Sequence, residues 1–182
     1  MRVQSPEFRE SVVIVSAIII SGHTNGYGVN YQMWEYEHSI EGKVGREAVW
    51  GLYSDVATWP EWDAGIEWIK LDGDFSAGAS GKIKPKGQDQ LPFRLTKIDV
   101  DGGFSDEAEI PGAGITIGFT HTLESVGEGR TRITHHVTIS GPAADYLGPA
   151  IGPEMAEGIP DTMYALMRMA QLREIEAKEC RI

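Results

Sequence analysis

The chain has 182 residues, enough for one domain built on a single good core. A hydrophobic fraction of 41% and a charged fraction of 24% fit a soluble globular protein, while a formal net charge of −11 argues against nucleic acid and anionic membranes, both of which demand a basic surface. The lone cysteine, Cys180, excludes an internal disulfide and thiolate metal clusters, and it fits a reducing, cytoplasmic location.

The longest apolar run, residues 12–20 (VVIVSAIII), is shorter than the roughly 20 residues that span a bilayer. Glu7 and Glu10 spoil the basic front of a signal sequence, and no A-x-A site follows. Residues 1–32 are therefore read as an appendage, with one extra β-branched strand as its simplest content. Residues 33–182 are read as a single domain, and Met33 offers an alternative start.

Residues 34–40 (WEYEHSI) alternate, with Trp34, Tyr36, His38 and Ile40 on one face of a strand. Residues 46–55 carry Val49, Leu52 and Tyr53 at helical spacing. Pro60 suits the first turn of a second short helix, with Thr58 as its cap and with Trp59 and Trp62 closing one end of the core. Strands follow at 66–71, 80–86, 91–100 and 104–110. Lys82, Lys84 and Lys86 form a basic stripe best read as a solvated outer face. In the last two strands Phe93 and Leu95, then Phe104, Asp106, Ala108 and Ile110, fall on single faces.

The most regular stretch is a hairpin at 115–140, with arms ITIGFTHTLES and RTRITHHVTIS joined through Gly127-Glu128-Gly129. A turn centred on Glu128 sets Leu123 against Ile133, Phe119 against Val137 and Ile117 against Ile139. It pairs Glu124 with Arg132 and Thr122 with Thr134 on the other face. A one-residue slip would mix the faces. The same register opposes His121 to His135 on the apolar face, an unusual pair on a greasy surface. The preceding GAGITIG is not a phosphate loop, because its spacing is wrong and it leads into a strand.

Beyond Gly141-Pro142 the pattern is helical. Gly148-Pro149 and Gly152-Pro153 predict a short or kinked piece over 143–157. A long clean helix is predicted from Pro160 to Lys178, with Met163, Leu166, Met167, Ala170 and Glu174 along one stripe. The order is strand, two short helices, six strands and a long helix. Such a sheet of about seven antiparallel strands needs the terminal helix as its cover.

That order, with EAVWGLYSDVATWPEWDAGIEW, GKIKPKG, the hairpin and PDTMYALMRMAQL, resembles the SRPBCC superfamily of START-like and pollen-allergen-like proteins. Within it the likeness is to the polyketide cyclase/dehydrase branch, whose first segment carries an Asp followed closely by a Trp, as do Asp55, Trp59 and Trp62 here. The likeness covers about residues 34–175. It implies an α+β helix-grip fold: a curved antiparallel sheet of about seven strands wrapped around a long C-terminal helix, with two short helices after the first strand. It also implies a cavity between sheet and helix that takes an apolar small molecule. His38, His135 and His121 would then point inward from three adjacent strands.

Three readings compete for these histidines. They orient a mostly apolar ligand as polar groups of the cavity wall, one of them is a general base for cyclase-type proton abstraction, or together they hold zinc. The bland alternative is satisfied core residues. The wall or core role ranks first and metal last, because no H-x-H or H-x-x-x-H spacing supports it. His121 and His135 are the candidate catalytic pair. Trp34, Tyr36, His38, Phe93, Asp106, Ile117, Phe119, Val137, Met163 and Met167 are the candidate ligand-binding residues, with Tyr164 beside them. No metal or cofactor is expected. The expected partner is an apolar small molecule, with no nucleic acid and no integral membrane association, and a homodimer is left open. The rival reading is an interaction module of the same fold, of the chaperone-regulator kind.

Overall fold

The computed structural model describes residues 23–24, 30–31, 33–127 and 129–180. The run at 12–20, most of the expected appendage and Glu128 lie outside the described residues. Two short strands, β1 (His23–Thr24) and β2 (Asn30–Tyr31), pair with each other in an antiparallel ladder. The main body begins with β3 (Trp34–Gly42), α1 (Arg46–Tyr53), a 3-10 turn (Val56–Thr58) and α2 (Trp59–Trp62). Then come β4 (Ile66–Leu71), β5 (Ser80–Pro85), β6 (Leu91–Asp99), β7 (Gly103–Ile110), β8 (Ile115–Gly127), β9 (Arg130–Ser140) and α3 (Ala144–Glu179).

The seven long strands form one antiparallel sheet in the order β3-β9-β8-β7-β6-β5-β4. This is the helix-grip fold. The hairpin register is the expected one: His121 pairs with His135, Leu123 with Ile133 and Glu124 with Arg132. It departs only at the tip, where a shift between Ser125 and Gly127 brings Gly127 opposite Arg130.

Paired residues line up in rows across the concave face. The first holds Trp34, Ile139, Ile117 and Ala108, and the second Tyr36, Val137, Phe119, Asp106 and Leu95. The third holds His38, His135, His121 and Phe104, and the fourth Ile40, Ile133 and Leu123. Gly103, at φ 119°, brings β7 so close to β8 that a Cβ there would overlap the His121 carbonyl oxygen. Lys82 is exposed on the other side of the sheet, as the sequence pattern implies, Lys84 pairs with Glu67, and Lys86 is exposed in the turn just past β5.

The terminal helix departs from expectation. It is continuous over 36 residues from Ala144 to Glu179, with Pro149, Pro153 and Pro160 inside it, where the sequence predicts a break before Pro160. Pro149 and Pro153 are exposed, as are Asp145 and Pro149 one turn back from them, so the carbonyls they free lie on the solvent side of the helix; Pro160 is half-buried. The glycines before the first two prolines face inward. A Cβ on Gly148 or Gly152 would collide with Trp34, so both must be glycine for the helix to lie this close to β3. Further along, Met167 fills the space over Gly42, Gln171 Nε2 donates to the Lys43 carbonyl at 3.4 Å, and Glu174 Oε1 accepts from Gly45 N at 3.2 Å. The helix thus runs along β3 from the first row to beyond the fourth.

Thr58 is a second correction. It precedes α2 but its side chain does not cap it. Its hydroxyl instead donates to the carbonyls of Asp55 at 2.8 Å and Leu52 at 3.1 Å, tying the 3-10 turn to α1. Trp59 and Trp62 are buried, as expected. Trp59 Nε1 donates to the Tyr53 carbonyl at 3.0 Å and Trp62 Nε1 to Thr58 Oγ1 at 3.3 Å. With their polar ends satisfied, the two indoles and Tyr53 form a plug over the lower rows.

Candidate functional site

The histidine row is where the sequence placed it. His38, His121 and His135 are 6%, 8% and 3% exposed, on the adjacent strands β3, β8 and β9. The rings of His121 and His135 meet edge to face, with centroids 4.4 Å apart and planes at 86°. Phe104 stacks on His121 from β7 at 4.2 Å. Tyr53 reaches down from α1, and its hydroxyl hydrogen-bonds His135 Nε2 at 2.9 Å. Tyr53 is fully buried and was missing from the sequence-based site. The available signal was its place beside Leu52 on the sheet-facing stripe of α1.

Asp106 lies one row up on the neighbouring strand. Its Oδ2 is 3.3 Å from His121 Nε2, but off the line of a good hydrogen bond, and among the described residues both Asp106 Oδ2 and His121 Nδ1 lack a hydrogen-bond partner. No lysine or arginine lies on the described concave rows. Burial, reinforced by the charge of neighbouring Glu107, pushes the Asp106 carboxyl up to about 7. Burial pulls His121 down to about 3. Burial first, then the nearby His121 and His38, holds His135 well below the usual imidazole range. Burial raises the Tyr53 hydroxyl. At neutral pH the row therefore carries uncharged His121 and His135 beside a carboxyl that still shares a proton with solvent.

The other expected site residues divide by row. Tyr36, Ile117 and Phe119 point to the concave face in the upper rows and remain half-buried, as do Ala108 and Asp106. Tyr36 stacks on His38 with centroids 6.5 Å apart, and Phe119 on His121 at 6.1 Å. Val137 is buried between them. Trp34 is engaged against the α3 glycines, Phe93 packs on Trp59, and Met163 and Met167 are fully buried on the sheet side of α3. Tyr164 is half-buried against the same core.

The geometry does not gather metal ligands. Among the described residues no three His, Cys, Asp or Glu side chains converge as a metal ion would require. Nor is any described helix long and apolar enough to cross a membrane. A depression of about 650 Å³ lies away from the histidines, at the far end of the β8–β9 hairpin. Arg46, Asp101, Glu124 and Arg130 line it, and these are tied up in ion pairs: Arg46 with Asp101 at 2.7 Å, Arg130 with Glu41 at 3.5 Å and Glu124 with Arg132 at 3.4 Å. It is a wet, charged surface feature. The half-covered upper rows are apolar with one buried acid, which is the chemistry of a small-molecule site.

Solved structures with this fold include the Zhui aromatase/cyclase from Streptomyces sp. R1128, at TM-score 0.66 and 12% identity over 78% of this chain and 95% of that one. A point mutant of norcoclaurine synthase from Thalictrum flavum, in complex with a transition-state analogue, matches at TM-score 0.63 and 14% identity, covering 80% of this chain and 99% of that one. Ara h 8.0201 matches at TM-score 0.63 and 14% identity over 76% of this chain and 98% of that one. At such identities the likeness establishes the fold alone. No curated protein matches the chain. The family described as polyketide cyclase / dehydrase and lipid transport matches residues 33–172, from the first long strand into the last turns of the helix. With most of its length accounted for in that one match, the chain belongs to the polyketide cyclase / dehydrase and lipid transport family.

Proposed function

We propose that the protein binds an apolar small molecule in the upper half of the grip, against β7 and β8 and beside the first half of α3. One observation carries this reading. Tyr36, Ala108, Ile117 and Phe119 point to the same concave face as the fully buried Ile40, Leu123 and Ile133, yet they keep part of their surface accessible. An apolar ligand would remove that surface from water, at about 25 cal/mol per Å². His38, His121 and His135 form the floor, and Asp106 and the Tyr36 hydroxyl are polar groups of the row above it.

Native mass spectrometry of the protein purified from its own host tests this. The expected result is a retained mass of ligand size that disappears in Phe119→Arg, where a charged side chain fills the space. Protein that is bare throughout, and whose fluorescence is unmoved by added apolar aromatics, would overturn it and favour the interaction-module reading. A second reading, acid–base chemistry of the cyclase kind, is supported by the 3.3 Å approach of His121 to Asp106. His121→Ala and His135→Ala would then abolish turnover of a bound carbonyl compound while binding survived.

A further inference from the structure

The histidine row and Asp106 are polar groups set in an apolar wall, and they are unequally satisfied. His135 has the Tyr53 hydroxyl at 2.9 Å. Among the described residues Asp106 has the misaligned His121 Nε2 at 3.3 Å, its Oδ2 makes no hydrogen bond, and its side chain is 12% exposed. A buried polar atom without a partner costs about 1–3 kcal/mol, so a group that supplies the missing bond gains that amount. Asp106 Oδ2 is itself closed off from solvent, so the 12% exposure of the side chain, in the half-open second row, belongs to the rest of the carboxyl arm, while His121 lies in the buried third row.

We propose that Asp106, backed by His121, is the anchoring group of the cleft, donating its carboxyl proton to an acceptor oxygen of an uncharged apolar ligand such as an aryl ketone. The inference rests on the ligand-binding reading above and gives it a ligand class. The apolar rows supply no cation to balance a carboxylate, so the site favours the acid form of Asp106, and that form has an O–H to give. An anionic ligand would bring a second charge toward Glu107 and into a chain of net charge −11. The titratable groups around Asp106 are His121 on β8, His135 on β9, His38 on β3, Tyr53 on α1 and Glu107 on its own strand. His121 and His135 stay neutral and Tyr53 stays protonated near pH 7, whereas Asp106 is held near 7, inside the range where its ionisation changes the site.

Four naphthalene probes of one size separate the alternatives: 2-acetylnaphthalene, 2-isopropylnaphthalene, 2-naphthylmethylammonium and 2-naphthoate. Their binding to the full chain is titrated by tryptophan fluorescence from pH 5.5 to 8.5. The expected result is that the ketone binds best at low pH and weakens by roughly five- to tenfold as the pH rises through 7, the loss of one hydrogen bond. Asp106→Asn, which keeps a donor without a titration, should bind the ketone equally across that range. Asp106→Leu should bind it roughly tenfold more weakly at low pH. Tightest binding of the ammonium, strengthening with pH, would overturn the assignment in favour of a carboxylate anchor for cations, and tightest binding of the naphthoate would overturn it too. Equal binding of ketone and hydrocarbon at every pH would overturn the anchor and leave the cleft standing. Failure of all four probes to bind would overturn the cleft and the anchor together.

Discussion

The lower and upper halves of the concave sheet face are built from the same alternating strands, yet one is sealed and the other is not. In the lower half Ile40, Ile133, Leu123 and Phe104 are buried beneath Tyr53, Trp59 and Trp62, and the polar atoms of the plug are hydrogen-bonded. In the upper half α3 covers β3, and Trp34 packs on Gly148 and Gly152, while Phe119, Ile117, Ala108 and Asp106 on β8 and β7 keep partial exposure. The orphaned atoms of Asp106 and His121 sit at the boundary. Stability is therefore concentrated in the half whose polar groups are satisfied, and the proposed ligand would bind in the other half.

The sharpest test removes one aromatic from each half. Tyr53→Ala leaves a fully buried hole and strands His135, and should cost about 3–5 kcal/mol in urea denaturation. Phe119→Ala should cost less than half as much, roughly 1–2 kcal/mol, because part of the ring already meets water. Equal costs would erase the distinction between the halves.

The next effect is electrostatic. The folded Asp106 carboxyl is held near 7 against 3.8 unfolded, so the unfolded chain releases its proton first as pH rises. Folding is then penalised progressively between those two values and fully above them. Asp106→Asn escapes the penalty and should exceed the parent by on the order of 2–4 kcal/mol at pH 8 and by almost nothing below pH 4. His121 has the opposite sign: its folded value near 3 lies below 6.5, so its contribution is full above 6.5 and fades as pH falls. It changes with pH only below 6.5, so it leaves the comparison at pH 8 untouched. Denaturation midpoints across pH check this.

A smaller effect tests how α3 closes the upper half. Gly152→Ala should lower stability by about 1–3 kcal/mol, because the overlap with Trp34 outweighs the roughly 1 kcal/mol of helix propensity gained. Gly51→Ala, on the exposed side of α1 with nothing within 4 Å, should instead stabilise by up to about 1 kcal/mol. Thermal melts of both variants give the contrast. The smallest effect belongs to neither half. Arg132 pairs with Glu41 at 2.6 Å on the convex face, partly in solvent, and Arg132→Ala should cost no more than about 1 kcal/mol, less in high salt.

Strand alternation was sufficient to place the hairpin residue by residue as far as Ser125, short of its tip. Only one register keeps Phe119, Leu123, Ile133 and Val137 together, and that register opposes His121 to His135. The same alternation put Asp106 on the inner face of β7. Local rules failed where a distant partner outweighed them. Pro149 and Pro153 argue for a broken helix, but their solvent position and the Trp34 contact of the adjoining glycines keep α3 continuous.

By itself, then, the sequence determined which residues share a strand, which face each takes and which strands pair across the hairpin, because side-chain direction in a strand has a period of two and a slip buries polar groups. The tertiary structure alone decided what covers each part of that face. Tyr53 meets His135, which lies 82 positions further along the chain, and Trp34 meets Gly148 and Gly152. Such contacts have no local periodicity. They arise when the curved sheet, the plug and the helix compete for the same apolar surface, and that competition leaves the upper rows of β7 and β8 half covered.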